Sequence, residues 1–285
     1  MPIRSFSAFL DVGRAHPLAY TKYLPEHTPA KVMLISSATA VHQKFYKRFA
    51  TFFATHGFAV YTFDYSGFGA SGNTKRLLKN HEGGLKGWGA IDQKALVLHL
   101  QEEHPGLDVV LVCHSIGGQI TGFNPENRAF KKVIMIASQS GYWKIYEGWN
   151  RLRLWLFWYF FIPVFTPIFG YYPGKVLGVV DNLPKGMVLE WRKWGTKKDY
   201  LMHYHNKNEY YFDQLSANLQ SFSFTNDSFA SKQGVDWLAD QYTNAKAERI
   251  HFDQNESAKK PGHFGFFKEE FKEDFWVPAL HWLQQ

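Results

Sequence analysis

The run Asp108–Cys113 (DVVLVC) leads straight into His114-Ser115-Ile116-Gly117-Gly118, and the order suits a side-chain nucleophile. A reactive serine works best on a sharp, strained turn between a strand and a helix, with small residues two before and two after it so that the backbones can approach. Gly117 meets the second condition, and Cys113, also small, stands where glycine is usual. A plainer reading has Ser115 capping a helix while Gly117 and Gly118 permit close packing, and it requires no partners downstream. A catalytic hydroxyl requires a base to take its proton and a carboxylate to orient that base, in the chain order Ser, acid, His.

Both occur in that order. Asp227 lies in Thr225-Asn226-Asp227-Ser228, just after the apolar run LQSFSFT, where loops at the carboxyl end of a parallel sheet face a ligand. The alternative for Asp227 is the N-cap of the next helix, and Asp253 is the second candidate acid. His263 sits between glycines in Lys260-Pro261-Gly262-His263-Phe264-Gly265-Phe266, a loop that follows the last apolar run. Acyl transfer also needs backbone donors for the developing oxyanion, one from the residue after the nucleophile and one from the loop after an early strand. Those are Ile116 and Thr39, with Ala38 or Ala40 as alternatives to Thr39.

The elements that must hold these residues alternate as βα units. Lys31–Ser36, Phe58–Phe63, Asp108–Cys113 and Lys132–Ile136 read as buried strands rich in β-branched and aromatic residues. Gln43–His56 and Trp88–His104 carry apolar residues at helical spacing and stop at Gly57 and Pro105-Gly106. After Gly141 the regularity gives way to aromatic, helix-like spacing, and it resumes with a strand at Leu219–Thr225, a helix through Val235–Tyr242, a strand at Glu248–Phe252 and a terminal helix from Lys268. Leu18–Leu24 suits an antiparallel edge hairpin. The class is α/β: residues 1–140 and 206–285 form the core, and 141–205 form an inserted helical, aromatic-rich cap.

The chain has 285 residues, a formal charge of +7 and 18% aromatic residues, more ring surface than a core ordinarily needs and enough to line a pocket. The basic residues are scattered, and neither a nucleic-acid motif nor a Walker loop is present. A lone cysteine excludes an internal disulfide and a zinc-type cysteine cluster. His203-x-His205 lacks a third ligand at metal spacing and reads as cap surface, so no metal and no cofactor is expected. Met1–Leu10 has no signal-peptide pattern, which points to a cytoplasmic protein. Leu154–Gly170 is apolar but carries Pro163 and Pro167, so it reads as a buried or interfacial helix pair rather than a transmembrane span, and peripheral membrane contact stays open.

Together these residues resemble the α/β-hydrolase superfamily over almost the whole chain. The most specific part is Cys113-His114-Ser115-Ile116-Gly117-Gly118, supported by FDYSGFGAS at 63–71, SFTNDSFA around Asp227 and GHFGFFK around His263. The closest resemblance is to a bacterial hydrolase group related to the serine aminopeptidase-like branch. It implies an eight-stranded, mostly parallel sheet flanked by helices, with a cap over the serine.

The function expected is hydrolysis of an ester or related acyl bond in an apolar small molecule by Ser115, His263 and Asp227. One alternative is an aminopeptidase-like amide hydrolase, for which Glu190 would bind the substrate's amino group. A non-catalytic ligand-binding or membrane-surface protein on the same shell is another. Oligomeric state is not legible in the sequence.

Overall fold

A computed structural model of the chain describes residues 3–72, 74–178, 181–253 and 260–285. Eight strands form one sheet: β1 (Arg4–Leu10), β2 (Leu18–Leu24), β3 (Lys31–Ser36), β4 (Phe58–Phe63), β5 (Val109–His114), β6 (Phe130–Ile136), β7 (Asn218–Phe224) and β8 (Lys246–Phe252). Their spatial order is β1-β2-β4-β3-β5-β6-β7-β8. The β1–β2 hairpin is antiparallel and β2 meets β4 antiparallel, while every pairing from β4 to β8 is parallel. β5 has all six residues buried, which is why VVLVCH reads as a continuous apolar run instead of an alternation. Its side chains still divide by face, Leu111 and Cys113 to one core and Val110 and Val112 to the other.

Helices cover both faces. α1 (Lys47–Thr55) packs Phe49 and Phe53 beside Trp276 and Leu283 of the C-terminal segment, whose last helix we call α7 (Val277–Gln284). On the other face α2 (Lys94–Glu103) places Leu96, Val97 and Leu100 on Leu34 and Leu111. The short α3 (Ile116–Thr121) leaves β5 and is buried along its whole length. α6 (Lys232–Gln241) follows β7. Between β6 and β7 lie α4 (Gly148–Phe169) and α5 (Lys185–Gly195).

The prolines of α4 do not divide it. It runs as one helix of 22 residues, in place of the helix pair suggested by Pro163 and Pro167. A π-helical stretch at Phe157–Phe161 immediately precedes the segment that holds both prolines, with Pro163 near its start and Pro167 inside it.

The chain crosses from one side of the sheet to the other between β3 and β5, which are adjacent and parallel. Their carboxyl ends therefore open side by side, the place where this class of sheet holds a ligand. α3 can start there only because it lies very close to β3. A Cβ added to Gly117 would lie 2.4 Å from the Ser36 carbonyl oxygen, and one added to Gly118 would lie 2.5 Å from Ser138 Oγ. The first obstacle is backbone and cannot turn away. Gly117→Ala is expected to destabilise the fold by about 1–3 kcal/mol, seen as a lower urea midpoint with an unchanged m-value. An unchanged midpoint would mean that the approach of α3 to β3 is not tight.

Candidate active site

Ser115 occupies the turn between β5 and α3 with φ 52° and ψ −113°, a left-handed conformation for a residue that carries a Cβ. The turn is fixed from the side, since the Ser115 N–H donates to the carbonyl of Ile136 at the end of β6 at 2.9 Å. Although Ser115 is the residue before α3, its side chain makes no capping hydrogen bond. Its hydroxyl instead donates toward Gln139 Oε1 at 3.5 Å. Local geometry therefore does not support a merely capping serine. Cys113 is packed and buried, with Sγ 3.5 Å from Thr121 Oγ1, and burial pushes its thiol up to about 12, so at neutral pH it is an uncharged filler.

Asp227 and His263 meet. His263 Nδ1 lies 2.8 Å from Asp227 Oδ2, and both side chains are buried. Asp227 Oδ1 accepts from the N–H groups of Phe229 at 2.7 Å and Ala230 at 3.0 Å, so both carboxylate oxygens are held. The N-cap of α6 is Ser231, whose Oγ accepts from the Gly234 N–H, so Asp227 does not cap that helix. Asp253 interacts elsewhere, with a contact to Thr225 Oγ1 at 3.5 Å. The neighbouring Asn226 accepts from the Gly262 N–H at 3.0 Å and ties the His263 loop to the end of β7. With Nδ1 donating to the carboxylate, Nε2 is left as the basic nitrogen. Among the described residues, no hydrogen bond joins it to Ser115.

Ser115, His263, Thr39 and Gln139 line one cavity of about 350 Å³. Most of its remaining wall is aromatic or aliphatic, with Leu154, Phe157 and Phe161 from α4, Trp191 from α5, and Phe229 and Phe264 from the loops. No Asp or Glu is among the described residues that line it, and Arg153 is the one Lys or Arg that does, its guanidinium 5.0 Å from the Phe229 ring. Glu190 lies outside this wall. It accepts from the Lys86 N–H at 3.1 Å, and burial raises its carboxyl above the usual range. A wider groove of about 800 Å³ runs along α6, but Ser115 and His263 are not on it.

The oxyanion donors narrow as well. The Ala38 N–H is taken, donating to Tyr46 Oη at 2.9 Å, which removes Ala38 as an alternative. Thr39 is on the cavity wall, and its buried hydroxyl has no partner among the described residues. Ile116 opens α3, where a first-turn N–H has no carbonyl to bond within the helix.

Tyr46 belongs to a chain of contacts invisible in the sequence. Its hydroxyl lies 2.8 Å from His114 Nδ1, and His114 Nε2 lies 2.9 Å from the His263 carbonyl oxygen. Since a carbonyl only accepts, Nε2 carries the proton and Nδ1 accepts from Tyr46. One buried relay thus couples the Thr39 loop, the serine turn and the His263 loop. Burial, and then the nearby His263, hold His114 well below its ordinary pKa, so it stays neutral.

Several other polar and titratable residues fall outside the cavity wall. His42 pairs with Asp181 at 2.7 Å, and Asp64 braces two loops by accepting from the N–H groups of Gln43 and Ala70. His203 is exposed against Tyr204, while His205 packs on Phe123. Gln139 was missed by the sequence reading. Its position directly after β6, the neighbour of β5 in the sheet, was the available signal.

Tyr46→Phe leaves a buried N–H and a buried ring nitrogen without partners, so a loss of about 1–3 kcal/mol is expected in urea denaturation. Unaltered stability would show that the relay carries no weight. Acid should also weaken the fold. His81, His104, His114, His205 and His251 are all held below 6.5 by burial, His81 to about 4, so the unfolded chain takes up more protons than the folded one as pH falls through 6.5. Asp92, raised to about 6 by burial, opposes this in the lower part of the same range, but as one group against five, and Glu190, also raised, acts in the same sense as Asp92. Unfolding free energy should therefore fall between pH 7.5 and pH 6, and a flat profile would contradict this balance.

Comparison with known proteins agrees with this fold. Among solved structures, a thermostable carboxyl esterase from Bacillus coagulans superposes with TM-score 0.67 at 12% identity, over 100% of this chain and 98% of its own. An esterase from Pyrococcus furiosus gives TM-score 0.64 at 13% identity, over 99% and 91%. A dienelactone hydrolase assignment from Klebsiella pneumoniae subsp. pneumoniae gives 0.58 at 12%, over 100% of both chains. At such identities the likeness is one of fold. No curated protein matches in sequence. The family model described as "Serine aminopeptidase, S33" matches residues 27–217, well over half of the chain and inclusive of the β3 loop and the serine turn. The protein belongs to the serine aminopeptidase S33 family of the α/β-hydrolase superfamily.

Proposed function

We propose that the protein is a serine hydrolase that cleaves esters with a hydrophobic acyl or alcohol part, through Ser115, His263 and Asp227. The observation that carries this reading is the buried His263–Asp227 pair beside a serine on a strained turn, in one apolar cavity. In the reaction the Ser115 hydroxyl turns about χ1 from Gln139 to His263 Nε2, which takes its proton as Oγ attacks the ester carbonyl. The negative charge on the tetrahedral oxygen is met by the N–H groups of Ile116 and Thr39. His263, now an imidazolium steadied by Asp227, returns the proton to the leaving alcohol, and an acyl-enzyme is left on Ser115. Water, deprotonated by His263, then attacks the acyl carbon and frees the acid and the serine. The residues between β6 and β7 act in this scheme as a cap whose rings exclude water and bind the apolar part of the substrate.

An aminopeptidase reading has less support despite the family's description. Recognition of a substrate ammonium requires an anion at the cavity, and the described wall offers Arg153 instead, with Glu190 committed to the Lys86 backbone. Leucine p-nitroanilide is expected to be turned over poorly, and efficient release of leucine would reverse the preference.

Ser115→Ala is expected to abolish both p-nitrophenyl ester hydrolysis and labelling by a fluorophosphonate, and Asp227→Asn to lower kcat by about 10³–10⁴-fold while leaving the fold intact. Ester cleavage by Ser115→Ala at the wild-type rate would sink the proposal. Across a series of acyl chains, kcat/KM should rise about fourfold for each methylene that enters the cavity, from about 0.8 kcal/mol per buried CH₂. A fall from acetate to butyrate would mean that the apolar wall does not bind the acyl chain.

A further inference from the structure

α4 is apolar on both sides, and among the described residues its outer side is largely uncovered. Its inner residues Leu154, Phe157, Trp158 and Phe161 line the cavity. Its outer residues Leu152, Trp155, Tyr159, Phe160, Val164 and Ile168 are exposed, Ile168 by 70%. The most apolar 18-residue stretch of the helix has a mean hydropathy of 1.5, yet only 17% of it is buried. Trp149 belongs to both sides, 68% exposed and also on the cavity wall, so the outer stripe runs up to the cavity mouth. A contiguous apolar stripe of this kind marks an interaction surface.

The charges beside it select the partner. From Gly148 to Val180 the sequence contains no Asp or Glu, and its charged residues are Arg151, Arg153 and Lys175. At the start of α4, Arg151 and Lys144 are exposed, each 5.4 Å from the Trp143 ring, with Glu147 the one acid nearby in sequence. At its other end Gly170 abuts the exposed Lys79, and Lys175, although paired with Asp181, is mostly in solvent. Exposed Trp, Tyr and Phe between basic ends suit the boundary between acyl chains and anionic headgroups.

We infer that the outer face of α4 lies on the surface of an anionic phospholipid bilayer, with the cavity mouth at Trp149 turned toward the lipid. The helix lies along the membrane and does not cross it, because Trp158, Ile162 and Thr166 pack into the protein on its inner side. In this position an apolar ester reaches the cavity without passing through water. That last consequence rests on the hydrolase reading, whereas the binding does not.

The test is flotation with vesicles of phosphatidylcholine alone and of phosphatidylcholine with phosphatidylglycerol, on the full chain and on Ser115→Ala. Both proteins should float with the anionic vesicles, and an alkaline carbonate wash should release them. Trp155→Glu/Ile168→Glu should lose flotation while hydrolysing p-nitrophenyl butyrate at the wild-type rate, and Lys144→Glu/Arg151→Glu should weaken binding about tenfold or more. Absence of flotation with turnover intact would overturn this inference alone. It would also be overturned by resistance to carbonate, which means a spanning helix, or by a dimer in light scattering that the Trp155→Glu/Ile168→Glu variant dissolves, which means that a second copy covers the face.

Discussion

The structure depends on a backbone conformation that no residue with a Cβ adopts freely. Ser115 is held at positive φ between the last residue of β5 and the first of α3. Such a turn costs of order 1–3 kcal/mol, and it persists because its surroundings overdetermine it. β5 lies inside the sheet with β3 and β6 on either side, the Ser115 N–H is fixed to β6, and the glycines of α3 let that helix lie against β3 and Ser138. Large apolar surfaces on both faces of the sheet hold this arrangement. The strained turn exposes one hydroxyl at the end of the sheet where the other loops gather.

A second consequence is that the loops are tied to one another as well as to the sheet. Tyr46 and His114 link the Thr39 loop, the serine turn and the His263 backbone, while Asn226 links the His263 loop to the end of β7. Each link is a buried hydrogen bond whose loss would strand a polar group away from water. His263 is thus fixed from its backbone side by His114 and from its ring side by Asp227. The Asp227 contact at Nδ1 selects the tautomer that carries its proton there, while the His114 bond fixes the backbone that bears the ring.

The segment between β6 and β7 answers to a different constraint. Its rings complete the cavity, and the face turned away from the cavity is as apolar as the face turned inward. Family membership fixes the fold and the hydrolase class, and the cavity wall is mostly apolar, with Arg153 the one Lys or Arg among the described residues that line it. Glu190, a carboxylate attractive in the sequence, is committed to the Lys86 backbone and lies off the wall.

The sequence alone carried the sheet and the order of its loops. Buried parallel strands are continuous apolar runs, so β3 and β4 were legible to the residue and β5 to within one. The meeting of Asp227 with His263, and the place of Ser115 and His263 on one cavity wall, followed the sequence expectation because loops at strand ends have few ways to be arranged once the βα order is known. β1, exposed along most of its length, left too weak a periodicity to place. Only tertiary structure decided what depends on contacts between distant segments. It brought Gln139, Tyr46 and His114 to the serine turn, took the Ala38 N–H out of contention, and decided between the two readings of Asp227 by giving the helix cap to Ser231 and setting the carboxylate beside an imidazole. It also joined two proline-marked pieces into one helix that carries a π-helical stretch just before the prolines, which local pattern does not reveal. Periodicity reports which residues are buried, and it is silent on which atoms they are buried against.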